Sequence, residues 1–170
     1  MIIVFEGADG AGKTTLAKRL AAKFGLQYYH SGGPKSKQDL VNTLFSLEDM
    51  NLGRNYYLVD RHPGISELVY SAASGRQPIC SVSLLKQSWD DIYMLVHCVA
   101  PKDEYQISEE FKSHKPDHHM KMVQANHEKI KSLYEDIFEQ NTSIKSVRIN
   151  TRDPESIAYL EKLIEDLVNV

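Results

Sequence analysis

Eight residues near the start of the chain, Gly7-Ala8-Asp9-Gly10-Ala11-Gly12-Lys13-Thr14, have the types and spacing to hold a polyphosphate. Glycines at both ends of this Gly-x4-Gly-Lys-Thr pattern let the backbone turn back without Cβ clashes. Successive N–H groups then face one concave anion site at a helix N-terminus. Lys13 would reach the β- and γ-phosphates of a nucleoside triphosphate, and the Thr14 hydroxyl would ligate Mg²⁺. The plain alternative is a Gly-rich turn that only joins a strand to a helix. The setting argues for the phosphate loop: the apolar run Ile2-Ile3-Val4-Phe5 precedes it, and Leu16, Ala17, Leu20, Ala21 and Phe24 mark one helical face after it.

Other polar residues could complete a reaction centre. Asp60 ends an apolar run, the position from which a Walker-B-type carboxylate holds Mg²⁺ through water; a loop cap is its plainer role. Arg61 beside it offers a planar fork for a phosphate, or pairs with Asp60 or Glu67. Asp9 within the loop would repel a triphosphate unless it points away, toward a second substrate, where it suits a sugar hydroxyl. His114, His118 and His119 lack a fourth ligand and a rigid scaffold, so a solvated face is expected rather than a metal site. Tyr70 and Trp89 could stack on a base, although aromatic residues at helical spacing more often belong to a core.

The elements that must position these residues are legible as alternating short apolar runs and amphipathic segments. Strands are expected at residues 2–5, 26–30, 56–59, 92–99 and 144–149, the third and fourth nearly continuous in apolar residues, as in a parallel sheet buried on both faces. Helices are expected at 14–24, 38–50, 65–74, 82–89, one running through Val123, Ile130, Tyr134 and Ile137, and 155–168, with a loop at 51–55. Residues 101–121, rich in His and Lys and without a clear period, read as a mobile flap. Strands alternating with helices imply right-handed crossovers and an α/β fold, a five-stranded parallel sheet covered on both faces. Ligands of such sheets sit beyond the carboxyl ends of the strands, where the phosphate loop, His30-Ser31, Asp60-Arg61 and Asn150-Thr151 all fall.

Composition narrows the class. At 170 residues the chain fits one domain, 1–170, with no visible linker, repeat or low-complexity tract. Glu6 interrupts the first apolar run, so a signal peptide is not expected, and no stretch approaches a membrane span. The two cysteines, Cys80 and Cys98, are too few for a disulfide framework, which suggests reduced thiols in a cytoplasmic compartment. A net charge of −3 gives no general attraction to nucleic acid and favours small-molecule chemistry.

Two stretches resemble the thymidylate kinase family. Phe5-Glu6-Gly7-Ala8-Asp9-Gly10-Ala11-Gly12-Lys13-Thr14-Thr15 looks like that family's phosphate loop, including the Asp at its third position, and Asp60-Arg61-His62 with Ser66 and Tyr70 looks like its Asp-Arg-[Tyr/His] motif and the residues after it. The chain is also similar to small phage-type nucleotide kinases of the same superfamily. The resemblance implies a P-loop kinase three-layer αβα fold with a lid at 101–121. By it, the loop from Gly10 to Thr15 serves ATP and Mg²⁺, Thr14 and Asp60 hold the metal, and Arg152 lies near adenine. Asp9 takes the acceptor's sugar, Arg61 its phosphate, and Ser66 and Tyr70 line its site. The chain departs from the family in three places. No Arg follows the second strand, Ser66 stands one residue further from Asp60, and the lid has no Arg, which leaves Lys112, Lys115 or Arg76 for that work.

The leading expectation is ATP-dependent phosphorylation of a deoxynucleoside monophosphate, dTMP or a related pyrimidine nucleotide. Its phosphate is already an anion and needs no general base, so Lys13, Arg61, Asp60 and Mg²⁺ suffice for positioning and charge neutralisation. The alternatives are a kinase acting on a hydroxyl of a nucleoside or of DNA, with Asp9 or Asp60 as base, and a nucleotide-dependent switch or ATPase. The partner is then a small-molecule nucleotide, with nucleic acid only under the alternative, no membrane, and room for a homodimer.

Overall fold

The structure, a computed structural model, describes residues 1–33, 36–53, 55–101, 117–141 and 143–169. Five strands, β1 (Ile2–Glu6), β2 (Gln27–His30), β3 (Tyr57–Asp60), β4 (Ile92–Val99) and β5 (Ser146–Asn150), form one parallel sheet in the order β2-β3-β1-β4-β5. The helices are α1 (Lys13–Phe24), α2 (Lys37–Leu52), α3 (Pro63–Ser74), α4 (Val82–Gln87), α5 (Asp117–Ala125), α6 (His127–Gln140) and α7 (Pro154–Val168), with a 3₁₀ turn at Ser88–Asp91. The result is a three-layer α/β arrangement, with helices packed on both faces of the sheet.

Because β1 is central, all five of its residues are buried, and its alternation divides the core. Ile3 and Phe5 face α1 and α7, with Leu16, Leu20, Leu58, Val96, Leu160 and Ile164. Ile2 and Val4 face the other layer, with Leu47 of α2, Ile65 and Val69 of α3, and Ile130 and Tyr134 of α6. The same parity decides where the charged ends of the strands point. Glu6 follows Val4 toward α3, whereas Asp60 follows Leu58 toward α1.

Several boundaries differ from the sequence expectation. The strand expected to begin at Ile144 begins at Ser146, and α2 runs through Leu52 into residues read as loop. Residues 117–121, assigned to the flap, are the first turn and more of α5. The single helix expected through Val123 and Ile130 is two, broken at Asn126, whose N–H reaches the carbonyls of Met122 and Val123. Val123 and Ile130 are both fully buried on the same core, so the break leaves the apolar spacing intact. Trp89 also belongs to that core and is 8% exposed, with no hydrogen-bond partner for Nε1 among the described residues. It lines a cavity of about 540 Å³ together with Leu68, Val69, Leu133 and Ile137, and no phosphate-loop residue reaches this cavity.

Candidate active site

The phosphate loop leaves β1 through Gly7, whose φ of 141° and lack of Cβ are both required: a Cβ there would stand 2.2 Å from the Cys98 carbonyl oxygen of β4. The loop enters α1 through Gly12, in the left-handed region, where a Cβ would come 2.9 Å from Thr151 Oγ1 and 3.7 Å from Arg152 Nη1. The Thr151 hydroxyl donates to the Ala11 carbonyl at 2.7 Å, so the turn after β5 packs directly on the loop and brings Arg152 beside it. The α1 N-terminus has no side-chain cap and no acidic residue in its first turn, unlike α2, α4 and α7, which Ser36, Ser81 and Asp153 cap. Its backbone donors and positive dipole end suit an anion. Lys13, 5% exposed, donates from Nζ to the Ala8 carbonyl at 2.7 Å, and burial, then the Arg61 charge, push its ammonium down to about 8.

Asp60 lies at the end of β3 on the α1 side, completely buried. Its Oδ2 accepts from Thr14 Oγ1 at 2.6 Å, Tyr28 OH at 3.0 Å and His30 Nδ1 at 3.1 Å. Burial works against its charge, but the bonds from His30 and Thr14, with Lys13 nearby, hold the carboxyl well below the usual range. Its Oδ1 is buried without a hydrogen-bond partner among the described residues. This fits a Mg²⁺ site: the Thr14 hydroxyl spends its proton on Oδ2 and keeps its lone pairs for a cation, while Oδ1 keeps full capacity to accept from the metal's waters. The residues that would hold the metal are therefore Thr14 and Asp60.

A second cluster forms on the α3 side of the loop. Arg61, with φ of 71°, turns back from β3 so that Nη2 donates to Asp9 Oδ1 at 2.6 Å and Nη1 to the Tyr134 hydroxyl at 3.2 Å; its guanidinium lies 5.3 Å over the Tyr70 ring. The Tyr70 hydroxyl donates to Asp9 Oδ2. The plain pairing of Arg61 with Asp60 or Glu67 is not what forms: Asp60 faces the other layer, and Glu67 takes a two-pronged bond from Arg76 at 2.6 and 2.8 Å. Burial opposes the Arg61 charge, and Tyr70 and Asp9 around it outweigh burial, keeping the guanidinium well above its ordinary value. Asp9 thus points away from the uncapped helix end, and His127 Nε2 at the start of α6 lies 3.2 Å from its carbonyl.

Of the remaining sequence candidates, Ser66 donates to Glu6 Oε1 at 3.3 Å, Arg76 is engaged by Glu67, and Trp89 sits in the core rather than near the loop. Lys112, Lys115 and His114 lie outside the described residues, as does the side chain of His119; His118 is exposed on α5. Among the described residues no group of three or more His, Cys, Asp or Glu side chains is arranged to hold a metal. Sequence reasoning placed His30 at the rim of the crevice without a role and passed over Glu6, Tyr28 and Tyr134. Glu6 is 2% exposed and accepts the His62 N–H at 2.6 Å, serving the N-terminus of α3, which has no side-chain cap from His62. Its Oε2 has no partner among the described residues, and burial pushes its carboxyl above the usual value. The available signal was a carboxylate closing a wholly apolar strand.

No family model matches the chain. A protein of Xenopus tropicalis described as "Probable gluconokinase" is 32% identical over 93 residues, covering 52% of this chain and 45% of that protein, so the match spans about half of the relative's length. Among solved structures, the YorR protein of Bacillus subtilis in complex with phosphorylated GDP superposes with a TM-score of 0.65 at 19% identity, covering 99% of this chain and 96% of that one. Deoxyadenosine kinase of M. mycoides with bound dATP gives 0.64 at 12% identity over the whole of both chains. Shikimate kinase of Acinetobacter baumannii with shikimate gives 0.56 at 13%, covering 99% and 93%.

Proposed function

We propose that this chain transfers the γ-phosphoryl group of ATP to a deoxynucleoside monophosphate, with dTMP or a related pyrimidine nucleotide as acceptor. The observation that carries the reading is the placement of two polar clusters on opposite sides of one phosphate loop. On the α1 side stand the uncapped helix end, Lys13 and the Thr14–Asp60 pair; on the α3 side stand Asp9, Arg61 and Tyr70. The first suits a triphosphate and its metal, the second an acceptor with both a sugar hydroxyl and a phosphate, which would enter by exchanging for the Asp9–Arg61 bond. Mg²⁺, when bound, would neutralise charge on the β- and γ-phosphates. Lys13 would release the Ala8 carbonyl to meet the γ-phosphoryl oxygens, and Arg61 would hold the acceptor in line and balance charge as transfer proceeds.

A second reading, transfer to a hydroxyl, gains support from Glu6. For a hydroxyl acceptor Asp9 and Asp60 are poor bases, since both Asp9 oxygens already accept bonds and, despite burial, the bonds from His30 and Thr14 with Lys13 nearby hold the Asp60 carboxyl well below the usual range. Glu6 keeps one carboxylate oxygen without a partner and has its pKa raised by burial, which suits a general base. The gluconokinase, deoxyadenosine kinase and shikimate kinase relatives are named for acceptors that offer a hydroxyl.

Incubation with γ-labelled ATP, Mg²⁺ and a panel of deoxynucleoside monophosphates, nucleosides, gluconate, shikimate and DNA 5′-hydroxyl ends decides between them. A labelled diphosphate is the expected product; label only on hydroxyl compounds would replace the leading reading with the second. Lys13→Ala should lower kcat at least about 10²-fold with the fold intact, because the lysine gains most in the transition state. A folded variant with normal turnover would remove the phosphate-loop assignment.

A further inference from the structure

Among the described residues the edge strand β2 pairs only with β3, and in that register Tyr28 stands opposite Leu58 and His30 opposite Asp60. Paired residues of parallel strands project to the same face, so the phenol and the imidazole both reach the α1 side, where Asp60 lies. The result is uneven. Thr14, Tyr28 and His30 all donate to Oδ2, at 2.6, 3.0 and 3.1 Å, while Oδ1 has no partner among the described residues. An ionised carboxylate only accepts, which places the His30 proton on Nδ1. Each oxygen offers about two lone-pair sites, so three donors exhaust Oδ2 and leave all capacity on Oδ1. A carboxylate serving only as a loop cap gains nothing from this division, since a buried acceptor left unpaired loses its hydration with no return.

We infer that Tyr28 and His30 are positioning residues of the metal site: by holding Oδ2 they fix the rotation of the Asp60 carboxylate, so that Oδ1 is the oxygen that accepts from the waters of nucleotide-bound Mg²⁺. The inference rests on the nucleotide reading above and goes beyond it, because it extends the control of metal affinity from Thr14 and Asp60 to the edge strand that orients the Asp60 carboxylate. The Lys18 ammonium, 5.5 Å over the Tyr28 ring, and the packing of Tyr28 against the α1-side core steady the phenol from beneath. Outer partners of this kind typically change metal affinity 10- to 100-fold when removed.

The test uses Mn²⁺ as the probe, with free Mn²⁺ read by electron paramagnetic resonance during titration of the protein with saturating ATP, and ATP binding measured separately in EDTA. The Tyr28→Phe, His30→Ala double variant should raise the Mn²⁺ midpoint at least about 10-fold and leave ATP affinity in EDTA within about twofold. His30→Asn, whose amide can donate where the ring nitrogen does, should fall within about threefold of wild type. An unchanged Mn²⁺ midpoint in the double variant overturns the inference. So does a parallel loss of ATP affinity in EDTA, which would make the two residues supports of the loop. Wild-type protein that takes up no Mn²⁺ with ATP would instead overturn the nucleotide reading itself.

Discussion

Arg61 carries the only positive φ among the described non-glycine residues, 71°, a conformation that costs about 1–3 kcal/mol and persists only when its surroundings hold it. Here its N–H donates to the Phe5 carbonyl at 3.0 Å and its carbonyl accepts from Ser31 Oγ at 2.8 Å, so the backbone is held from both sides. The strained turn aims the guanidinium across β1 at Asp9 instead of along β3. With the Asp9 side chain 4% exposed and that of Arg61 13%, removing one partner leaves the other charge stranded. Arg61→Ala should therefore cost about 3 kcal/mol in denaturant unfolding as well as activity. Arg61→Lys keeps the charge but loses the fork; it should leave ATP binding nearly unchanged and weaken the acceptor or slow transfer about 10-fold. Steady-state kinetics with both substrates varied separates the two. Wild-type behaviour in both variants would reduce Arg61 to a structural partner of Asp9.

At the scale of elements, the loop between β1 and α1 is seated on β4 through Gly7, and its shape depends on that contact. Gly7→Ala meets the Cys98 backbone carbonyl and a φ that an L side chain rarely adopts, so a loss of at least about 2 kcal/mol is expected, read as a lower urea midpoint. This seat was not readable from residue types alone, because it depends on how β1 and β4 align in space. What could be read was whatever depends on local pattern: the strands, the start of α1, and Asp60 at a strand end. Glu6 was visible only as a charge closing an apolar run, and its partners, His62 just before α3 and Ser66 within it, are 56 and 60 residues away. Tyr28 became a site residue only through register with β3, which also brings His30, already at the rim of the crevice by sequence, onto Asp60, and the Asn126 break stayed hidden because both flanking helices keep the same apolar face toward the sheet.

Over the whole molecule, buried imidazoles set how stability follows pH. Burial pushes His62 down to about 3 and His97, which Arg148 and Lys13 also disfavour as a cation, to about 4. Glu135 lies 3.8 Å from His97, but Arg148 holds that carboxylate at 2.7 Å. The unfolded chain, with histidines near 6.5, binds more protons than the native one below that pH. The share of stability that depends on these two imidazoles is therefore full above about 6.5 and falls as pH drops toward 4, by up to about 1.4 kcal/mol per pH unit for each histidine. Glu6, raised by burial, works in the opposite sense and offsets part of the loss at the acid end. Urea midpoints should decline from pH 7 to pH 5, and His97→Phe should remove about one proton's share of the slope; a flat profile would mean that these imidazoles are hydrated. Trp89 makes such curves simple to record. It is the only tryptophan of the chain, and it is enclosed with Leu68, Val69 and Ile137, apart from the phosphate loop. Its emission should be that of an indole in an apolar setting, so a shift to red on unfolding would read the packing of α3, α4 and α6, in a part of the molecule that no phosphate-loop residue reaches.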